Sequence, residues 1–199
     1  MLKPTSGRIS LGGSDPGGHI CIAYLPQRSD VDWQFPVAVK DVVMMGRVGK
    51  IGMFRNPRIE DWEQVYACLE QVNMAGLAER QISELSGGQQ QRVFIAQALA
   101  QEAELVLMDE PLSGLDMPSQ DEFFRVIKAK RDRHVTLMVA THDLGMASAH
   151  FDQTMLLGNT LLGFGTSAEV FTEDRLKAAY GNHLHIIETD GGKMMFEHG

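Results

Sequence analysis

Two nearly uninterrupted apolar runs organise the chain: "LVLMD" (105–109) and "VTLMVAT" (135–141). Runs of this length between polar residues are expected of strands buried on both faces. The stretch between them, "SQDEFFRVIKAKR" (119–131), reads as helix. Two parallel strands need a crossover, so strand, helix and strand in that order imply a parallel α/β sheet.

Upstream, "GRISLGG" (7–13) and "ICIAYL" (20–25) read as short strands around a "SDPGG" turn. "PVAVKDVVMMGR" (36–47) is expected to be helical, with Pro36 near its start, and "GKIGMFRNP" (49–57) a loop. Asn56-Pro57 opens a helix over 59–74, and a further helix covers 88–101. The stretch from about 30 to 101 is therefore all helix and loop, an inserted subdomain inside a single domain spanning 1–199. Beyond the second buried strand, "DLGMASAH" reads as a short helix. The tail alternates short strands, as in "TMLLGNTLLGFG", with helices such as "DRLKAAY".

Bulk properties narrow the function. A chain of 199 residues with 44% hydrophobic and 22% charged residues is one ordinary domain. The formal charge of −8 argues against a nucleic-acid partner, which calls for a basic stripe. No apolar stretch approaches the ~20 residues of a membrane span, and "MLKPTSGRIS" lacks the build of a signal peptide. Cys21 and Cys68 stand far apart, outside any C-x-x-C pattern, which fits packed thiols in a reducing compartment. The twelve methionines are expected to fill core and groove positions.

The chemistry gathers at strand ends. "LVLMDEPLSGLD" (105–116) delivers Asp109 and Glu110 at the carboxyl end of a buried strand, where open α/β sheets bind ligands. One carboxylate there suits Mg²⁺, and a second beside it suits a general base. Taken alone, the pair equally fits two solvated acids. "VATHD" (139–143) ends the next strand near His142, and "YLPQ" (24–27) ends another near Gln27. By themselves these fit a packing histidine and a turn. "ELSGGQQQRVFIAQALA" (84–100) sets Ser86, Gly87 and Gly88 at a helix mouth, where unpaired N–H groups and the dipole favour an anion. His183 and His185 in "HLHII" alternate as on a strand; with no third ligand they read as surface residues.

Taken together and in order, Gln27, Leu85 to Gln89, Leu105 to Glu110, Ser113 to Asp116 and His142 resemble the nucleotide-binding domain of ABC transporters. They match its Q-loop, signature motif, Walker B, D-loop and H-loop. The resemblance spans essentially the whole chain and implies an ABC ATPase fold, a P-loop NTPase-type (RecA-like) parallel sheet with an inserted helical subdomain. It implies ATP and Mg²⁺ as ligands. Asp109 would hold Mg²⁺ through water with Gln27 nearby, Glu110 would act as general base, and His142 would contact the γ-phosphate. Gln27 would sense that phosphate. Ser86, Gly87, Gly88, Gln89 and Asp116 would serve the nucleotide across a head-to-tail dimer with a second such subunit.

The sequence departs from that family in one respect: it contains no G-x-x-x-x-G-K-[ST]. The stretch "LKPTSGRISLGG" matches the region just after the helix that the phosphate loop opens, so an N-terminal truncation is expected, with weak ATP binding and low stability for the chain alone. Within the family, "RSDVDWQFPVAVKDVVMMGRVGKIGMFR" (28–55) looks like the ATPase subunits of manganese, zinc and iron importers. That implies a membrane permease bound through the helical subdomain, a metal-binding protein as indirect partner, and a position on the cytoplasmic face of the membrane. The alternatives are an inactive fragment of such a subunit, or a soluble ABC-type ATPase of DNA repair or translation.

Overall fold

The middle strand of the sheet is the most buried one. In the computed structural model, which describes residues 4–11, 13, 21–52, 54–128, 135–181, 184–189 and 192–197 (the last two by backbone only), the order is β1 (Ile22–Leu25), β2 (Leu105–Asp109) and β3 (Thr136–Ala140). They form one sheet in the order β1-β2-β3, with both pairings parallel. The expected "SDPGG" turn and His183 lie outside the described residues. The chain divides into two compact units, Met1–Ala140 and Thr141–Gly199.

Within the first unit, one face of the sheet is closed. Ala23 and Leu25 of β1 and Val106 and Met108 of β2 are buried, as alternation of side chains requires for one shared face. The opposite face carries Tyr24 and Met138, which are 60% and 45% exposed. This corrects the reading of β3 as a strand buried on both faces: Thr136, Met138 and Ala140 are exposed, and Leu137 and Val139 only half-buried. Among the described residues β3 is an edge strand, paired to β2 alone, so its apolar run reflects one covered face. The expected strand over 7–13 is also absent among its described residues; Leu11 makes a single bridge, and Ile9 is half exposed. With three glycines in seven residues, that segment has few side chains with which to hold a ladder.

Between β1 and β2 lie the helices α1 (Val39–Met45), α2 (Val48–Ile51), α3 (Ile59–Gln71) and α4 (Gly87–Gln101). α2 overlaps the start of the stretch expected to be loop. α3 buries Val65, Cys68 and Leu69, spaced three and one apart on a single face. α4 is lined by Val93, Ile95, Ala96, Ala98 and Ala100, small enough to let neighbouring backbones approach. Gly46 exploits this most. A Cβ there would lie 2.3 Å from the carbonyl oxygen of Gln97.

Arg47 ties the same corner together. Its Nε and Nη2 donate to Asp61 Oδ1 at 3.3 and 3.1 Å, and its Nη1 donates to the carbonyl of Ala100 at 3.3 Å. Glu102, in the left-handed position that ends α4 (φ 53°), pairs with both Arg47 and Lys50. Hydrogen bonds from the Arg58 N–H and from Arg47 hold the Asp61 carboxyl below its usual range. After β2, α5 (Met117–Lys128) buries Phe123, Phe124 and Val126.

The second unit is built on α6 (Leu144–His150), an antiparallel pair β4 (Thr154–Leu157) and β5 (Leu161–Gly165), α7 (Ser167–Val170) and α8 (Glu173–Tyr180). Leu156, Val170 and Leu176 form its core, with Leu144, Leu162 and Phe171 against them. A last hairpin pairs β6 (Leu184–Thr189) with β7 (Gly192–Glu197).

The Gly46 contact is the tightest test of this packing. Gly46→Ala forces backbone apart and is expected to cost about 1–3 kcal/mol, despite alanine's better helix propensity. Urea denaturation should show a lower midpoint at unchanged slope.

Candidate active site

The strand register decides what can meet. Leu25 pairs with Met108, and Asp109 pairs with Ala140. The chain therefore leaves β1, β2 and β3 at the same sheet end, the end at which parallel sheets bind ligands. Gln27 follows β1 by two residues and is half-buried; its carbonyl accepts from the Asp30 N–H at 3.0 Å, which turns the chain away. Asp109 closes β2, and both it and Glu110 are half-buried. Gln27 and the acid pair thus emerge from neighbouring strands.

Glu110 sits at φ 44°, a left-handed conformation that costs a non-glycine residue about 1–2 kcal/mol. Its N–H donates to the Ala140 carbonyl at 3.0 Å, so β3 helps to hold the strained residue. Buried Pro111 and Leu112 anchor the exit, and Ser113 N–H returns to the Glu110 carbonyl at 3.2 Å. Gly114, at φ 72°, completes the turn where a side chain would be strained. Strain kept at a carboxylate after a strand is a recurrent mark of functional positions.

His142 belongs to the second unit, two positions past the end of β3. It is exposed and held in sequence by a tight cap. The Asp143 N–H donates to Thr141 Oγ1 at 3.1 Å, and Asp143 Oδ1 accepts from the Met146 N–H at 2.8 Å, opening α6.

The Ser-Gly-Gly loop is a helix N-terminus, as its sequence suggested. Ser86 is the N-cap of α4: its Oγ accepts from the Gln89 N–H at 3.4 Å, while the Ser86 N–H donates to Gln89 Oε1 at 2.9 Å. This reciprocal capping box explains Gln89. The S-x-x-Q signal for it is present in the sequence. Ser86 itself is exposed, and Gly87 and Gly88 are half-buried.

Asp116 caps α5 in the same way, its Oδ1 accepting from the Ser119 N–H at 3.2 Å. Hydrogen bonds from the Ser119 hydroxyl and N–H, with the charge of Arg92 behind them, hold its carboxyl below the usual range. Ser119 and Arg92 were not singled out by sequence reasoning. The D-x-x-S spacing after the D-loop is the only signal that could have marked Ser119.

The donor set at the strand ends, two carboxylates and an amide oxygen, is oxygen-only and suits a hard cation such as Mg²⁺. Among the described residues, no cluster of three or more His, Cys, Asp or Glu side chains forms a protein-only metal site.

A parallel sheet ending in an acid pair, with a serine-capped, glycine-opened helix in the same unit, fits a nucleotide-dependent α/β ATPase. The sequence model of the ABC transporter family matches residues 1–113, and the chain belongs to that family. It is 42% identical over 184 residues to the manganese transport system ATP-binding protein MntA of Synechocystis, covering 91% of this chain and 71% of that protein. It is 40% identical over 195 residues to the chelated iron transport system membrane protein YfeB of Yersinia pestis, covering 96% and 66%. Among solved structures, an inward-facing putative metal-chelate type ABC transporter superposes with a TM-score of 0.80 at 28% identity, covering 98% of this chain and 75% of the other.

The cap is directly testable. Ser86→Ala removes a long capping bond and should lower stability by about 0.5–1 kcal/mol, whereas Ser86→Asp should keep it. Thermal or urea melts of both variants check this.

Proposed function

We propose that this chain is the ATP-binding and ATP-hydrolysing subunit of an importer for a divalent metal ion: manganese, zinc or iron. The observation that carries the reading is the common sheet end from which Gln27, Asp109 and Glu110 leave adjacent strands, in a chain 42% identical to a manganese transport system ATP-binding protein and 40% identical to a chelated iron transport system membrane protein. In this reading Asp109 holds Mg²⁺ through water, with Gln27 as a second oxygen donor that senses the γ-phosphate. A Mg²⁺ ion held by these residues would supply charge neutralisation at the phosphate oxygens. Glu110, fixed in its left-handed conformation, orients and deprotonates the attacking water. His142 donates to the γ-phosphate.

The α4 cap works on a different nucleotide. The Oγ of Ser86 is engaged only as an acceptor in the cap, which leaves its hydroxyl proton to donate elsewhere. With the Gly87 and Gly88 N–H groups and the helix dipole, it meets the γ-phosphate of ATP held by a second subunit, and Asp116 faces the same interface. ATP joins the two subunits and hydrolysis parts them. The helical stretch of about 30–101 docks a membrane permease, with a metal-binding protein beyond it. Among the described residues no helix is long and apolar enough to cross a membrane, and the chain works as a peripheral subunit on the cytoplasmic face.

One sequence fact shapes the activity. The 199 residues include no G-x-x-x-x-G-K-[ST] to cradle the β- and γ-phosphates, so this chain alone binds ATP weakly. The purified 199-residue chain is expected to show no ATPase activity above background, yet to pair in an ATP-dependent way with an intact subunit of a manganese-type relative. Ser86→Asp, which keeps the cap but sets a carboxylate against phosphate, should abolish that pairing. Turnover by the chain alone that Glu110→Gln abolishes would overturn the first expectation. Pairing unchanged by Ser86→Asp would overturn the second.

A further inference from the structure

Gly88 has a reason to be glycine that the anion-binding reading does not need. A Cβ at this position would lie 2.4 Å from Ser119 Oγ and 3.1 Å from Ser119 Cβ. The first turn of α4 therefore rests on the first turn of α5, with one half-buried hydroxyl between them. On its other side Ser119 holds Asp116 through its N–H at 3.2 Å, and its hydroxyl helps to keep that carboxyl below its usual range. Arg92 runs alongside: its Nε donates back to the Gly88 carbonyl at 3.4 Å, and its charge acts on both Asp116 and Glu122. Glu122 in turn accepts from Asn73 Nδ2 at 2.6 Å and pairs with Arg125.

We propose that Ser119 is a positioning residue: its side chain ties the Gly88 turn of the signature helix to the Asp116 carboxylate, so that the two loops keep one relative geometry. A side chain at residue 88 pushes the Ser119 hydroxyl off Asp116, although residue 88 itself does not touch that carboxylate. The signature loop and the D-loop then move as one body toward whatever they meet. That last consequence rests on the proposed reading of both loops as the surface presented to a second subunit; the tether itself does not.

The test uses the full chain and reads the Asp116 carboxylate directly by carbon-13 NMR titration. The groups acting on Asp116 are the Ser119 hydroxyl and N–H from α5, its own backbone N–H, and Arg92 from α4. Loss of the hydroxyl bond leaves the other three in place. Gly88→Ala is expected to shift the Asp116 midpoint upward, and Ser119→Gly to shift it upward as well. Adding Gly88→Ala to Ser119→Gly should shift it no further, because the intermediary is gone. Ser119→Thr keeps the hydroxyl and should leave the midpoint near that of the parent. An unmoved midpoint in Gly88→Ala, or shifts that add in the double variant, overturns the proposal. Should Gly88→Ala fold poorly, Ser119→Thr against Ser119→Gly decides alone: equal midpoints in those two remove the hydroxyl from any role.

A second readout separates the tether from the functional reading. Gly88→Ala and Ser119→Gly should each weaken ATP-dependent pairing with an intact relative subunit, and the double variant should be no worse than the poorer single. A coupled Asp116 titration with pairing unchanged in all variants upholds the tether and removes the two-subunit reading.

Discussion

Parallel pairing of β1, β2 and β3 in one register is the constraint from which the active end follows. All three strands run the same way, so all three carboxyl ends open on one side, and no connection can separate them without breaking ladder hydrogen bonds. β2 is the most buried strand because it lies in the middle, and the acid pair is placed by its last residue. The bond from the Glu110 N–H to Ala140 shows the same principle at finer grain. A neighbouring strand supplies the energy that keeps a glutamate in a conformation it would otherwise leave.

The helices of the first unit are governed by close approach. Gly46 and Gly88 both mark places where one helix meets a neighbour with no room for a Cβ, the first against a backbone oxygen and the second against a serine hydroxyl. The difference matters physically. A backbone oxygen cannot yield without moving a helix, whereas a hydroxyl can rotate, and rotation hands the disturbance to its hydrogen-bond partner. Glycines in a motif read as anion-binding can thus carry a packing duty at the same time, here linking α4 to the turn before α5.

Much of this was legible in the chain itself. The run "LVLM" ahead of Asp109 marked β2 to the residue, because a strand at the centre of the sheet turns polar only where it ends. Ser86 at a helix mouth was legible as a cap of the ordinary kind, and the motifs placed the acid pair correctly after a strand. β3 misled because an edge strand with one covered face and a fully buried strand can share an apolar sequence; only the pairing distinguishes them. The short helix α2 was hidden by flanking glycines, and the 7–13 segment by an apparent alternation with too few side chains behind it. The D-x-x-S spacing could mark Ser119 as the partner of Asp116, but not its contact with Gly88. Its role depends on two helices meeting across thirty-one positions of chain, from 88 to 119, and nothing local records that contact.

The account stands or falls on whether Gln27, Asp109 and Glu110 serve one metal-bound phosphate. The most direct measurement is paramagnetic broadening of backbone amide signals when Mn²⁺, in place of Mg²⁺, is added with enough ATP to populate a weak site. The account predicts that residues 27, 109 and 110 broaden first and together, and that the effect needs ATP. Broadening centred on other acidic residues, with these three signals unaffected, would contradict it.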